Sequence, residues 1–144
     1  MKRLALLSAV SLMLAASAIF APVAMAQELG EVDVQSVKLG QGGSVTATGT
    51  IQCVEGYFYS ASVLVRQKTN GNDINQAWSQ VDAVRCVTTG PQAFTTTPAF
   101  GTVGEVSKQF RKGPATIQSS GVITCPDYTC AYYWTGPLEA INIR

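Results

Sequence analysis

The 144-residue sequence predicts an all-β domain, an antiparallel β-sandwich of about seven strands with two disulfides. Three observations predict it. The stretch Ser44–Gln67 holds two runs of period-two alternation, turn signals recur at intervals of about ten residues, and no window carries an amphipathic helical period. In the first run Val45, Ala47, Gly49, Ile51 and Cys53 are small or apolar while Ser44, Thr46, Thr48, Thr50 and Gln52 are polar. In the second, Tyr57, Tyr59, Ala61, Val63 and Val65 form one face, with Phe58, Ser60, Ser62, Leu64 and Arg66 on the other. The runs are joined by Cys53-Val54-Glu55-Gly56 and are expected to pair as a hairpin.

Ahead of this pair, Met1–Ala26 reads as a secretory signal peptide: Lys2 and Arg3, an apolar run from Leu4 to Ala21, and the small-residue pattern Ala24-Met25-Ala26 before Gln27. Its removal leaves a single domain over residues 27–144, expected to be secreted or held in the cell envelope, with no membrane segment after cleavage. Val32 and Val34 share one parity and Val37 and Leu39 the other, so the first strand is expected to bulge near Gln35-Ser36. Leu39-Gly40-Gln41-Gly42-Gly43 turns into the organising run.

Beyond Gln67, Asn70-Gly71 is the strongest short turn signal. Ile74–Trp78 is short and ambiguous, with Trp78 expected inside, and Val81–Val87 reads as a strand containing Cys86. Gln92–Thr97 is a threonine-rich strand stopped by Pro98. Gly101 and Gly104 argue for an ordered loop over 99–112. Ala115, Ile117, Ser119, Ile123 and Cys125 mark the next strand, Cys130–Trp134 returns from a Pro126-Asp127 turn, and Leu138–Arg144 follows a Gly136-Pro137 kink.

Composition excludes several function classes. Without the signal peptide the chain has eight basic and nine acidic residues, too balanced for a nucleic-acid or anionic-membrane footprint. It has no histidine, which excludes Ser-His-Asp and Cys-His catalysis and the common zinc sites. Ser107-Lys108 is a weak nucleophile pair, and the acids Glu55, Asp73, Glu105 and Asp127 stand singly in or near turns rather than across a cleft. Asn70, Asn72 and Asp73 lack the spacing of a calcium loop. Lys108, Arg111 and Lys112 flank Phe110 and read as a solvated loop more readily than as an anion site. Neither a cofactor nor a metal is expected, and the protein is read as non-enzymatic.

All four cysteines follow Ala26, and an exported chain is expected to pair them. Of the three connectivities, Cys53 with Cys86 and Cys125 with Cys130 is favoured, because the Pro-Asp turn brings the ends of the second pair together. Tyr128, Tyr132, Tyr133 and Trp134 crowd that turn. Neighbours on a strand alternate sides, so Tyr132-Tyr133-Trp134 cannot all face a core. At least one ring points outward, either as a surface for a protein, glycan or small-molecule ligand or beneath a cover formed by residues 99–112.

The run Gly49-Thr50-Ile51-Gln52-Cys53, the strand ending Val65-Arg66-Gln67, Arg85-Cys86-Val87 ahead of Phe94, and Gly113-Pro114-Ala115-Thr116 before a terminal strand together resemble small secreted immunoglobulin-like domains of actinobacteria. The resemblance spans nearly all of residues 27–144 and implies that fold without an activity. The last third, from Cys125 and Cys130 through Gly136-Pro137, is similar to the neocarzinostatin-type chromophore-binding apoproteins, which implies a secreted carrier of a small ligand. In that family the other bridge closes a short loop, whereas Cys53 and Cys86 stand 33 positions apart, so no binding residue is carried over. The leading expectation is a secreted binding or structural module. The alternatives are a small-ligand carrier and a protease inhibitor presenting the Cys125–Cys130 loop.

Overall fold

A computed structural model describes residues 28–144. The signal peptide read over Met1–Ala26 lies outside the described residues. Among the described residues nine strands form one hydrogen-bonded sheet: β1 (Val32–Leu39), β2 (Val45–Cys53), β3 (Phe58–Lys68), β4 (Ile74–Arg85), β5 (Gly90–Thr95), β6 (Gly101–Val103), β7 (Val106–Lys108), β8 (Gly113–Thr124) and β9 (Ala131–Ile143). Their order is β5-β2-β1-β9-β8-β3-β4-β6-β7, antiparallel throughout except for the pairing of β1 with β9. The all-β class and both disulfides, Cys53–Cys86 and Cys125–Cys130, are therefore present. The strand count is nine rather than seven, because residues 99–112 contain the short β6–β7 hairpin where a loop was expected.

The expected hairpin between the two alternating runs is not made. β2 pairs with β1 and β5, while β3 pairs with β4 and β8. Periodicity identifies which face of a strand is apolar, not which strand lies beside it. Here Val45, Ala47, Ile51 and Cys53 of β2 and Tyr59, Ala61, Val63 and Val65 of β3 all bury into the same core cluster. The sheet curls into a half-barrel that brings these two faces together. Burying two complete apolar faces against each other removes more surface from water than setting the strands edge to edge. The corner between them is clipped to the end of β4: Gly56 N–H donates to the Cys86 carbonyl at 3.0 Å, Cys86 N–H donates to the Tyr57 carbonyl at 2.7 Å, and the Cys53–Cys86 bridge joins the same two segments.

The bulge expected in β1 is present, with a register shift against β2 between Val34 and Ser36. It turns the strand, so that Val32 faces the core before the shift and Val37 after it. Val37 then pairs with Ile143 at the end of β9. On the far side, residues 96–99 link the two ends of the curl. Val45 and Ala99 exchange both backbone hydrogen bonds, at 2.8 and 2.9 Å, and Thr97 N–H donates to the Gln80 carbonyl at 2.8 Å. Beneath them Thr96 Oγ1 accepts from Ala47 N–H at 2.9 Å and hydrogen bonds with Ser79 Oγ, giving this buried seam the partners its polar groups need.

β4 corrects the reading of Trp78. Residues Ile74–Arg85 are one continuous strand, not an ambiguous segment followed by a separate strand. Its core-facing positions are Asn75, Ala77 and Ser79, and Trp78 is 56% exposed on the other side. Hydrophobicity along this strand is inverted: Ser79 fits under the bridging segment at Thr96 and Thr97, Asn75 lies against Gly101, and the large apolar residues Ile74 and Trp78 face out. Cys86 lies just past the end of the strand.

Candidate binding surface

The turn Cys125–Cys130 joins β8 to β9 and is built as its sequence suggests. Cys125 N–H donates to the Cys130 carbonyl at 3.0 Å, and Tyr128 N–H donates to the Cys125 carbonyl at 3.0 Å. Asp127 Oδ1 accepts from Thr129 Oγ1 at 2.7 Å and from Thr129 N–H at 3.1 Å. Tyr128 occupies the left-handed region, at φ 60°, which side chains other than glycine seldom adopt. The hydrogen bonds on either side, together with the bridge, hold it there. The result is that the Tyr128 ring lies flat on Phe58 of β3, centroids 5.8 Å apart and planes 9° from parallel, a distance usual for stacked aromatic rings.

The sheet register places the other rings. On the outward face of β9, β8 and β3, Ala131, Thr124 and Phe58 share one row, and Tyr133, Val122 and Ser60 the next. Tyr133 is 78% exposed and Tyr128 71% exposed. Tyr132 is on the opposite face but at its rim, also exposed. Trp134, two positions further, turns inward, lies against Gly136 and packs on the core. Thus the four aromatic residues singled out in the sequence divide: Tyr128 and Tyr133 share a surface, while Tyr132 and Trp134 do not belong to it. Residues 99–112 do not cover the outward rings. That segment adjoins β4, and Phe110 sinks into the core while its N–H donates to the Gly43 carbonyl at 2.9 Å. Phe58 was missed as a member of the surface. Its signal was its place at the start of a strand, on the polar face, where a lone aromatic has no core reason to be.

The thiols are all in disulfides, and Ser107 and Lys108 are adjacent exposed residues on β7. Asn70, Asn72 and Asp73 lie in the exposed β3–β4 turn, where the Asp73 carbonyl accepts from Thr69 N–H at 3.1 Å. No described helix is long and apolar enough to cross a membrane.

Asp127 carries a testable electrostatic signature. Accepting two hydrogen bonds from Thr129 favours its charged form, so its pKa lies below the ordinary value of 3.8. A folded-state pKa below the unfolded one gives stabilisation that is complete above the unfolded value and lost as pH falls through the folded value. The Thr129 amide proton is therefore expected to titrate with a midpoint below 3.8 and to move upfield as Asp127 protonates. Asp127→Asn is expected to remove the titration. An NMR pH series on both proteins checks this, and a midpoint at or above the ordinary value would show that the turn is not built this way.

Comparison with protein-family models, with curated proteins and with solved structures gives no match.

Proposed function

We propose that the protein is a secreted, non-enzymatic binding module of immunoglobulin-like build, and that its recognition surface is the aromatic end of the outward sheet face. The immunoglobulin-like reading is supported by the order of pairing. β1 stays paired with β2 on both sides of its bulge and, at Val37, also joins β9 in parallel, and the strand sets β5-β2-β1 and β9-β8-β3-β4 correspond in order to the two sheets of that sandwich. Secretion is supported by two disulfides, which persist in oxidising compartments.

The observation that carries the function is the Phe58–Tyr128 stack. Phe58 lies parallel to and offset from the Tyr128 ring, which is largely exposed to solvent on a backbone fixed by a disulfide and two side-chain hydrogen bonds. An aromatic ring held this way gives contact area at little cost in side-chain entropy. Tyr133 stands on the same face across Val122, and the surrounding groups, Thr124, Thr129 and Asp127, are hydroxyls and a carboxylate. Flat rings ringed by short polar groups suit the apolar face and hydroxyl rim of a pyranose, so the partner assigned is a glycan chain.

Binding of the purified protein to soluble hexasaccharides and insoluble polysaccharides tests this. Tyr128→Ala with Tyr133→Ala is expected to weaken binding at least tenfold, about the sum of two stacking contacts of ~1 kcal/mol each. Both rings are exposed, so the variant is expected to melt within a few degrees of the parent. No saturable glycan binding, or binding indifferent to both tyrosines, would sink the assignment.

A further inference from the structure

At the opposite end of the same sheet face, roughly 30 Å from Phe58 along β3, two adjoining cavities share Lys68 and Pro114. They stand apart from the aromatic surface, and the inference drawn from them does not depend on it. The first cavity, about 360 Å³, lies between the β3–β4 turn and residues 108–114 and is lined by Lys68, Lys108, Arg111 and Lys112, with Asp73 as the one carboxylate among its lining residues. The second, about 420 Å³, lies on the outward face and is walled by Ile74, Pro114, Leu138 and Ala140, with Arg66 between them.

The charge distribution is uneven. Beyond Ala26 the chain is close to neutral, yet five of its eight basic residues line these two cavities against one of its nine acidic residues. Like charges gathered around a concave site repel one another and raise the local concentration of anions. Their backbone is also fixed. The Gln67 side-chain amide grips Arg111 in both directions, Nε2 donating to the Arg111 carbonyl at 2.8 Å and Oε1 accepting from the Arg111 N–H at 3.0 Å. Phe110, buried beside it, anchors the same segment in the core. A second observation is independent of the first. Arg66 Nε is shut off from solvent and has no hydrogen-bond partner among the described residues, although an unsatisfied buried donor is costly.

A solvated loop accounts for Lys108, Arg111 and Lys112 alone. It does not account for their convergence with Lys68 on a cavity, nor for an apolar groove continuous with it. We infer that these cavities form one site for a monomeric amphipathic anion, its phosphate or carboxylate head held by Lys68, Lys108, Arg111 and Lys112, and its alkyl body laid along Ile74, Leu138 and Ala140. Arg66 lines the second cavity beside Lys68, so its positive charge stands between the head and the body of such a ligand. The head supplies the negative charge the cavity is missing, and the body covers Leu138, which is otherwise 59% exposed. Neither half is satisfied by an inorganic ion or by an uncharged chain.

The test titrates the oxidised full protein with decyl phosphate, inorganic phosphate and decyl maltoside, each below any micelle-forming concentration, and follows amide NMR shifts. Decyl phosphate is expected to saturate, moving Lys68, Arg111 and Lys112 together with Ile74, Leu138 and Ala140, and to bind at least tenfold more tightly than inorganic phosphate. Arg111→Glu with Lys112→Glu is expected to weaken both phosphates at least tenfold, and the milder Lys68→Gln at least threefold. Leu138→Ser is expected to weaken decyl phosphate at least threefold and leave inorganic phosphate unchanged. Equal affinity for the two phosphates, equal affinity for decyl maltoside, or shifts elsewhere would overturn the inference. So would adsorption to phosphatidylglycerol vesicles without binding of the monomeric amphiphile, which would make the patch a membrane contact instead.

Discussion

Replacing Cys53 and Cys86 together with serine is expected to lower the melting temperature by about 15 °C, roughly twice the loss from the same change at Cys125 and Cys130. The difference comes first from loop length. The bridges span 33 and 5 positions, and in the chain-entropy account these constrain the unfolded chain by about 4 and about 2 kcal/mol. At about 4 °C per kcal/mol for a domain of this size, the losses are about 15 and about 8 °C. Location acts in the same direction. Cys53 and Cys86 are both buried, at the corner where β2 crosses to β3 and where the backbone of residues 56 and 57 is hydrogen bonded to Cys86. Opening that bridge leaves two buried hydroxyls in an apolar cluster and frees the end of β4 from β2. Cys125–Cys130 instead closes a turn whose strands are already paired along β8 and β9. Calorimetry of both double variants under non-reducing conditions decides it. Equal losses would mean that the unfolded chain is already compact across residues 53–86, so that the longer bridge removes little additional freedom.

The distinction between faces and partners also explains what could be read from the sequence. The inward residues of β2, β3 and β8 were legible because each strand places small or apolar residues at every second position: Val45 through Cys53, Tyr59 through Val65 and Ala115 through Cys125 are buried there, with Leu64 of β3 buried as well from the other parity. The β1 bulge was legible because Val34 and Val37 differ in parity. Pairing was not, since β2 and β3 satisfy the same pattern whether they lie edge to edge or face to face. Trp78 misled because the core side of β4 needs small residues, and a rule that sends large apolar side chains inward then gives the wrong face. Of the aromatic surface, Tyr128 and Tyr133 were legible from crowding near a closed turn, whereas Phe58 arrives from a strand 70 positions away. The basic cavity was less legible still. Its charges come from the end of β3 and from residues 108–112, which look like two ordinary solvated segments until Gln67 clasps Arg111.

Gly49→Ala is expected to destabilise the domain by about 3 kcal/mol, or about 12 °C in melting temperature, although it adds a single methyl group to a strand of good geometry. Gly49 occupies an inward position of β2, paired with Val34 on one side and Phe94 on the other. A Cβ there would collide with the carbonyl of Asp33 and come within 3.1 Å of the Phe94 ring. A flexible side chain could swing aside, but the Asp33 carbonyl is backbone at the edge of the β1 bulge. Relief would require β1 to move away from β2 beside its bulge, just ahead of the point where Val37 also pairs with Ile143 of β9. The cost is thus an effect of topology, since β1 is paired with β2 on both sides of its bulge and with β9 at Val37, and cannot shift without loosening those pairings. Val34→Ala, which removes volume beside the same carbonyl without touching that backbone, is expected to cost about 1 kcal/mol, as a half-buried side chain would. Thermal melts of the two variants separate the explanations. If Gly49→Ala cost no more than Val34→Ala, β1 would be free to shift, and its bulge would not be the fixed hinge on which the curl of the sheet depends.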